Sequence, residues 1–207
     1  MSRRTNPPFP TTSFGLLLVE GGDERGLCEA VAGPTVWQGL VCWSGSGGTD
    51  LPLLAALAAR DPSITHARSV GVVLDMEDDP KEAYRIAQET LAAFGATTPP
   101  VHGNLAGQPR ALGAFLAPDG KSPGSIEHLC RLAVRDPKLS ACVDALVGCA
   151  QPQHSTAALG AKGWLNAYLA MSPDPRLRFH QAFTAESGGI DPAHSAFEPL
   201  RNFLQRL

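Results

Sequence analysis

Acidic side chains follow three separate apolar runs of the sequence. Glu20 comes directly after FGLLLV, Asp75 directly after VGVVL, and Asp119 follows ALGAFLA with one proline between them. Short continuous apolar runs are typical of buried strands. In a parallel sheet the carboxyl ends of the strands meet at one edge, where ligands and catalytic groups gather. The sequence therefore predicts three carboxylates at the same edge.

Carboxylates crowded at one edge favour a bound cation. Like charges in one site repel, and they stay ionised at neutral pH only beside a compensating positive charge. Mg²⁺ and Mn²⁺ prefer oxygen ligands and usually keep several waters. Such an ion activates water and neutralises charge on a phosphodiester, and two ions about 3.5–4 Å apart would clamp the attacking and leaving oxygens. Mg²⁺ or Mn²⁺ is therefore the predicted cofactor.

Three further acids have a structural as well as a functional interpretation. Asp79 precedes Pro80, the arrangement of a helix N-cap and first helical residue, and Asp23 can cap a helix in the same way. Both are predicted to support the metal ligands without binding the metal themselves. Glu127 lies one residue off the apolar stripe of its helix, so a solvated face and a role in the site both stay open.

A frame of alternating strands and helices is needed to bring these residues together. The apolar runs alternate four times with segments of helical periodicity, which indicates βαβ units and an α/β fold with a mostly parallel sheet. Beyond about residue 138 the pattern becomes helical. We predict a flexible arm at residues 1–13, an α/β core at 14–137 and a helical extension at 138–207 that packs on the core.

Composition restricts the class of protein. The 207 residues carry 17 basic and 20 acidic side chains, a net charge of −3, so electrostatic coating of nucleic acid is not expected, although a local phosphate contact is compatible with it. The five cysteines include no CxxC pair, which favours reduced thiols over a disulfide framework. No apolar run is long enough for a membrane span or a signal peptide. We therefore expect a cytoplasmic protein without a membrane partner.

A glycine-rich loop, SGSGG, follows the second predicted strand, Val36–Trp43, and precedes a helix. It lacks the last glycine of a dinucleotide-binding fingerprint, because Asp50 stands there. Gly47 and Gly48 open the helix, and we predict that backbone amides at this helix N-terminus bind a phosphate.

Four segments carry a resemblance to a known family. VEGGDERG contains a glutamate after the first strand, LDMEDDP an acidic pair after a later one, and APDGKSPGSIEHL and GAKGWLNAYLA follow in order. On these motifs the sequence resembles the Toprim domain, the metal-binding module of topoisomerases, primases and OLD-family nucleases. It is most similar to small stand-alone bacterial and archaeal Toprim-like proteins. The likeness spans Phe14 to Leu207 and implies a three-layer, Rossmann-like fold.

The resemblance also implies roles for individual residues. Glu20 resembles the Toprim glutamate, a metal ligand or general acid/base, and Asp75 the first aspartate of the DxD motif. Glu77 occupies the second DxD position with a longer side chain. Lys162 resembles a lysine that OLD-type nucleases place near the scissile phosphate, whereas an exposed helical lysine is its plainer interpretation.

The family's LED triplet is matched only in part. Glu127 stands for its first acid, but His128 replaces the aspartate. The predicted metal ligands are Glu20, Asp75, Glu77, Asp119 and Glu127. The predicted catalytic residues are Glu20, Asp75 and Lys162.

These observations predict a divalent-metal-dependent, nuclease-like enzyme acting on phosphodiesters, with nucleic acid or a nucleotide phosphate as partner. The substitutions at Glu77 and His128 leave open a non-catalytic module that binds metal or nucleotide and acts through a partner protein. A phosphatase or phosphotransferase for a small substrate also stays open. Leu200, Phe203 and Leu204 cover either the core or a second subunit, so a homodimer stays open as well.

Overall fold

The described part of the chain is built around a five-stranded, mostly parallel sheet. The computed structural model describes residues 6–150, 160–175, 177–184 and 189–207. The strands are β1 (Phe14–Val19), β2 (Leu40–Ser44), β3 (Ala67–Asp75), β4 (Asn104–Ala106) and β5 (Ala111–Ala117). Their order is β2-β1-β3-β5-β4, and β4 runs antiparallel to β5 while the other neighbours are parallel. The predicted α/β class with a mostly parallel sheet is confirmed.

Helices of the described segments cover both faces of this sheet. They are α1 (Gly22–Trp37), α2 (Leu51–Ala59), α3 (Pro80–Ala92), α4 (Ile126–Leu132), α5 (Pro137–Ala150), α6 (Ala161–Ala170) and α7 (Glu198–Gln205). Side chains of α2 and α3 pack on one face, and those of α1 and of α4 to α7 pack on the other. The result is a three-layer, Rossmann-like arrangement with a helical C-terminal part. None of these described helices is long and apolar enough to cross a bilayer.

β1 shows why a continuous apolar run forms a central strand. Its side chains alternate between the faces, with Leu17 and Val19 in the core under α1 and Leu16 and Leu18 in the core under α2 and α3. All four are fully buried. A strand covered on both faces needs apolar residues at every position, which is the pattern FGLLLV provides.

α1 ends later than the sequence predicts. The sequence predicts a strand over Val36–Trp43, but the helix continues to Trp37 and β2 begins at Leu40. Gly33 adopts a φ of 72°, which interrupts the helix. Pro34 then starts a further helical turn, because its fixed φ suits the first helical position. The predicted strand boundary at Val36 is therefore wrong.

The C-terminal helix α7 completes the core on the α1 face. Leu200, Phe203 and Leu204 are fully buried there, so they cover the core of their own chain. Leu207 packs against two strand glycines. A Cβ on Gly15 would lie 2.5 Å from the Leu207 carbonyl oxygen, and one on Gly71 would lie 2.8 Å from a Leu207 methyl group.

The segment before β1 contacts the edge of the sheet. Phe9 is buried and stacks on Trp43, with ring centroids 4.5 Å apart. Trp43 Nε1 also donates a hydrogen bond to the carbonyl oxygen of Pro7 at 2.8 Å. The division into arm, core and extension stays a prediction.

Candidate functional site

The carboxyl ends of β1 and β3 bring Glu20 and Asp75 together. The two strands are parallel neighbours, with Val19 paired to Val73, so the residues that follow them leave the sheet side by side. The backbone N–H of Asp75 donates to Glu20 Oε1 at 2.6 Å. Two of the three acids expected at this edge thus lie side by side, with the Glu20 carboxylate bound to the Asp75 backbone.

Backbone donors on two sides hold the Glu20 carboxylate. Besides Asp75, Gly48 provides a backbone hydrogen bond, and a Cβ at Gly48 would lie 3.3 Å from the carboxyl group, so glycine permits this approach. Burial raises the pKa of Glu20 to about 7, and repulsion from Glu24 and Glu77 adds to the shift, while the two hydrogen bonds oppose it. Glu20 thus titrates near neutral pH.

Asp75 lies at the N-terminus of α4. Its Oδ1 accepts a hydrogen bond from the backbone N–H of Ile126, the first residue of that helix, at 2.9 Å. Burial, together with repulsion from the carboxylates of Glu20, Glu24 and Glu127, raises the pKa of Asp75 to about 9 in spite of this hydrogen bond. At neutral pH the site therefore favours a proton or a cation beside these acids.

Glu20, Asp75 and Glu127 form a carboxylate cluster with Glu24, a residue that the sequence analysis does not predict. It lies in the first turn of α1 and is only 9% exposed. A signal was present, because Glu24 occupies the same helical stripe as Leu27, Cys28 and Val31, which are all buried. A glutamate on the buried face of an amphipathic helix is unusual, since carboxylates are rarely buried without a partner.

Lys162 of α6 brings positive charge to the other end of the cluster. Its Nζ lies 3.8 Å from Glu127 Oε1, and Glu127 is buried while the lysine side chain is 74% exposed. Burial raises the pKa of Glu24, as does repulsion from Asp23 and Glu127, whereas Lys162 lowers it. The described structure therefore places Lys162 within electrostatic reach of two buried carboxylates.

The loop after β3 has an unusual backbone at Glu77. This residue has a φ of 45°, a left-handed conformation that non-glycine residues rarely adopt. Its N–H and carbonyl oxygen both bond to Gly124, at 2.7 Å each. The two hydrogen bonds tie the DMEDDP loop to the segment before α4, and they help to keep Asp75 beside Ile126.

A small cavity of about 210 Å³ opens beside these loops. Its polar lining includes Glu20, Gly48, Asp75, Glu77 and Asp79. Asp79 also caps α3, since its Oδ1 accepts from the backbone N–H groups of Lys81 and Glu82 at 3.0 and 3.3 Å. Asp79 thus combines the capping position with a place at the cavity.

Asp119 lies apart from this cluster in its contacts. It is exposed, and its Oδ1 accepts from the backbone N–H groups of Lys121 and Ser122 at 2.9 and 2.7 Å. The Ser122 hydroxyl group donates to Oδ2. Hydrogen bonds from Ser122 and Lys121 lower the pKa of Asp119. Its oxygens organise the loop that carries them.

The remaining predicted residues have distinct positions. Gly47 has a φ of 153°, and its N–H donates to the main-chain carbonyl oxygen of Glu20 at 3.1 Å. The SGSGG loop therefore wraps around Glu20, and Gly48 directs its backbone to the carboxylate. Asp23 lines a different cavity, between α1 and α6.

The side-chain oxygens of this site are of the chemical type that binds a hard divalent cation. They are carboxylate oxygens, the ligands that Mg²⁺ and Mn²⁺ prefer, and the raised pKa values of Glu20 and Asp75 reflect charge that a cation would compensate. Within residues 6–150, 160–175, 177–184 and 189–207, no group of three or more Asp, Glu, His or Cys side chains is arranged to hold a metal ion. The side chains as placed thus provide a close pair of acids without a complete set of ligands.

Similarity to known proteins extends over nearly the whole chain. No curated protein matches it. Among solved structures, the chain is similar to the C-terminal region of the Xanthomonas campestris pv. campestris OLD protein, at 17% sequence identity and a TM-score of 0.44, covering 94% of this chain and 93% of that one. A family model described as "Protein of unknown function (DUF3226)" matches residues 15–207. The chain belongs to the DUF3226 family.

Proposed function

We propose that this protein is a Toprim-like, divalent-metal-dependent enzyme that acts on phosphodiesters in the manner of a nuclease. The observation that carries the proposal is the hydrogen bond from the Asp75 backbone to the Glu20 carboxylate, in a buried site where the pKa rises to about 7 for Glu20 and to about 9 for Asp75. Buried acids from separate strands lower stability unless a proton or cation compensates them. Binding a cation therefore accounts for these two acids better than a role in stabilising the fold. The Toprim motifs suggest that the reaction is cleavage of a phosphodiester.

Mg²⁺ or Mn²⁺ is the proposed cofactor, and Glu20, Asp75 and Glu77 would hold it. When bound, such an ion lowers the pKa of coordinated water and neutralises charge on a phosphoryl oxygen. Glu77 lines the same cavity as the other two acids, which supports this assignment. Of the other two predicted ligands, Glu127 acts electrostatically on Asp75, whereas Asp119 is engaged by its own loop.

Lys162 is the proposed group that stabilises negative charge on the phosphate. Its side chain is mostly exposed and lies beside Glu127, so it can reach a substrate without losing contact with the carboxylate cluster. An ammonium on a flexible stem suits this role, because it acts as a mobile point charge with three donors.

Plasmid nicking in the presence of Mg²⁺ or Mn²⁺ tests the proposal. We expect nicking by the wild-type protein, and a loss of at least about 100-fold in Glu20→Gln and in Asp75→Asn, because each change removes a charged ligand. Glu29→Gln is the matched control, since Glu29 is exposed on α1. Nicking that persists in both site variants would contradict the proposal.

A non-catalytic module that binds metal or nucleotide and acts through a partner protein is the second candidate. Two substitutions in the sequence favour it, because Glu77 replaces the second aspartate of the DxD motif and His128 replaces the aspartate of the LED triplet. Calorimetric binding of Mn²⁺ that Asp75→Asn abolishes, without turnover of any diester, would support it. Hydrolysis of p-nitrophenyl phosphate without plasmid nicking would instead indicate a phosphatase for small substrates.

A further inference from the structure

A second cavity, of about 500 Å³, lies between α1, α6 and the segment that follows α6. Its lining includes Asp23, Asn166, Ala170, Arg178, Phe179 and His180. A volume of this size is in the range of small-molecule sites. The lining is mixed, with polar and charged side chains beside the apolar groups of Ala170 and Phe179.

The donors of this cavity suit an anionic ligand. Arg178 and His180 are exposed at its wall, and Arg178 forms no ion pair with any carboxylate of the described residues. A guanidinium group binds phosphate through two parallel hydrogen bonds. Asn166 adds an amide, which can both donate and accept.

One wall of the cavity is fixed by close packing. A Cβ on Gly26 of α1 would lie 2.7 Å from the Cβ of His180, so only glycine lets the two segments approach this closely. Phe179 packs edge-to-face on Phe183, with centroids 5.2 Å apart, and the backbone N–H of Arg178 donates to Gln181 Oε1 at 3.0 Å. These contacts hold the segment carrying Arg178 against α1.

Two helices connect this cavity to the carboxylate cluster. On α1, Asp23 lines the cavity and the next residue, Glu24, belongs to the cluster. On α6, Lys162 lies beside Glu127, and Asn166 follows one turn later, about 6 Å along the helix axis. Since residues four apart on a helix are neighbours on one face, a ligand that reaches from the carboxylate cluster into the cavity can contact both Lys162 and Asn166.

We infer that this cavity binds the nucleotide unit next to the scissile phosphodiester of a single nucleic acid strand. Arg178 binds its phosphate with His180 beside it, Asn166 meets the polar edge of the base, and the apolar wall receives the base itself. The inference deepens the proposed function and rests on it, because the carboxylate cluster supplies the neighbouring reaction site.

Fluorescence anisotropy with a fluorescein-labelled oligothymidylate of eight nucleotides tests this subsite in EDTA, where no metal-dependent cleavage occurs. We expect Arg178→Gln to weaken binding about 10-fold and to lower the slope of log K against log salt by about 0.7, the value for one phosphate contact on a single strand. Asn166→Ala should weaken binding about 3-fold. Arg60→Gln, at the far end of α2, is the matched control.

The outcomes of this experiment separate the subsite from the proposed function. Wild-type affinity and salt slope in Arg178→Gln, or no binding by the wild-type protein, would overturn the subsite whatever the nicking assay gives. Binding that depends on Arg178 without any nicking in Mg²⁺ or Mn²⁺ would support the subsite and refute catalysis. An unchanged melting temperature of Arg178→Gln would show that a loss of binding is not a loss of folding.

Discussion

Asp75 and Asp119 follow neighbouring parallel strands, but their surroundings differ in almost every respect. Asp75 is 7% exposed, and its pKa is raised to about 9 by burial and by other carboxylates. Asp119 is exposed, and hydrogen bonds from Ser122 and Lys121 lower its pKa. An acid at the end of a strand is thus buried among other carboxylates in one loop, whereas in the next it is held by the amides of its own loop. The position alone does not make a site.

The response to a divalent cation should separate the two acids most strongly. Mg²⁺ at 100 times its dissociation constant would stabilise the wild-type protein by about 2.7 kcal/mol, which for a chain of this size is roughly 5–10 °C in melting temperature. We expect Asp75→Asn to abolish this shift, because it removes a charged ligand. Differential scanning fluorimetry with and without Mg²⁺ or Mn²⁺ measures it.

Asp119→Asn is the matched comparison for that experiment. Its side-chain oxygen can still accept hydrogen bonds from the Lys121 and Ser122 amides, so the loop is retained. We expect the Mg²⁺ shift to persist in this variant. Loss of the shift in both variants would place Asp119 among the metal ligands and remove the contrast between the two loops.

The pH dependence of folding stability in EDTA should also differ between the site of Glu20 and Asp75 and the loop of Asp119. For Glu20 and Asp75 the folded-state pKa lies above the unfolded value near 4, so the folded state binds more protons between these values and stability falls as pH rises. The decline begins above about pH 4.5, runs through 7 and ends near 9. We expect a loss of at least about 2 kcal/mol between pH 5 and pH 8.

Urea unfolding at several pH values measures this decline, and Asp75→Asn should flatten its upper part. The contribution of Asp119 to stability depends on pH in the opposite direction. Its folded-state pKa is lowered, so its contribution disappears as the pH falls through that value. If the stability of the wild-type protein rose from pH 5 to pH 8 in EDTA, ionisation of Glu20 and Asp75 would not destabilise the fold, and this prediction would be wrong.

Much of the sheet was predictable because its strands are buried on both faces. Runs such as FGLLLV and VGVVL have no alternative use in a compact chain of this size, and the parallel topology then fixes which edge the following residues share. β4 was not predicted, because Asn104–Ala106 is short and has no hydrophobic pattern. Its antiparallel pairing with β5 arises from tertiary contact.

The membership of the site was predictable only in part. Glu24 could have been found from its place on the stripe of α1, whereas the role of Asp119 in its own loop depends on Ser122 folding back over it. The left-handed backbone of Glu77 has no sequence signal. It follows from the two hydrogen bonds with Gly124, which belong to the assembled loops.

The loops after β3 and β5 also differ in the residue that adopts a positive φ, and this difference should have the smallest effect. In the β5 loop the left-handed position is occupied by Gly120, with a φ of 72°, whereas in the β3 loop a glutamate adopts a φ of 45°. A side chain in this conformation costs about 1–2 kcal/mol, so a glutamate here suggests a use for its carboxylate. Glu77→Gly relieves this strain but also increases the freedom of the unfolded chain, and we expect a net gain of about 0.5–1 kcal/mol for the metal-free protein together with weaker Mn²⁺ binding.

Asp78→Gly is the matched control, because Asp78 is exposed in the same loop and has no positive φ. Glycine there only increases the freedom of the unfolded chain, and we expect a loss of stability with little change in Mn²⁺ affinity. Urea unfolding and calorimetric titration measure both effects. If the two variants lose stability alike, Glu77 stores no strain. If Glu77→Gly is stabilised and still binds Mn²⁺ normally, the strain is real but its carboxylate is not a ligand.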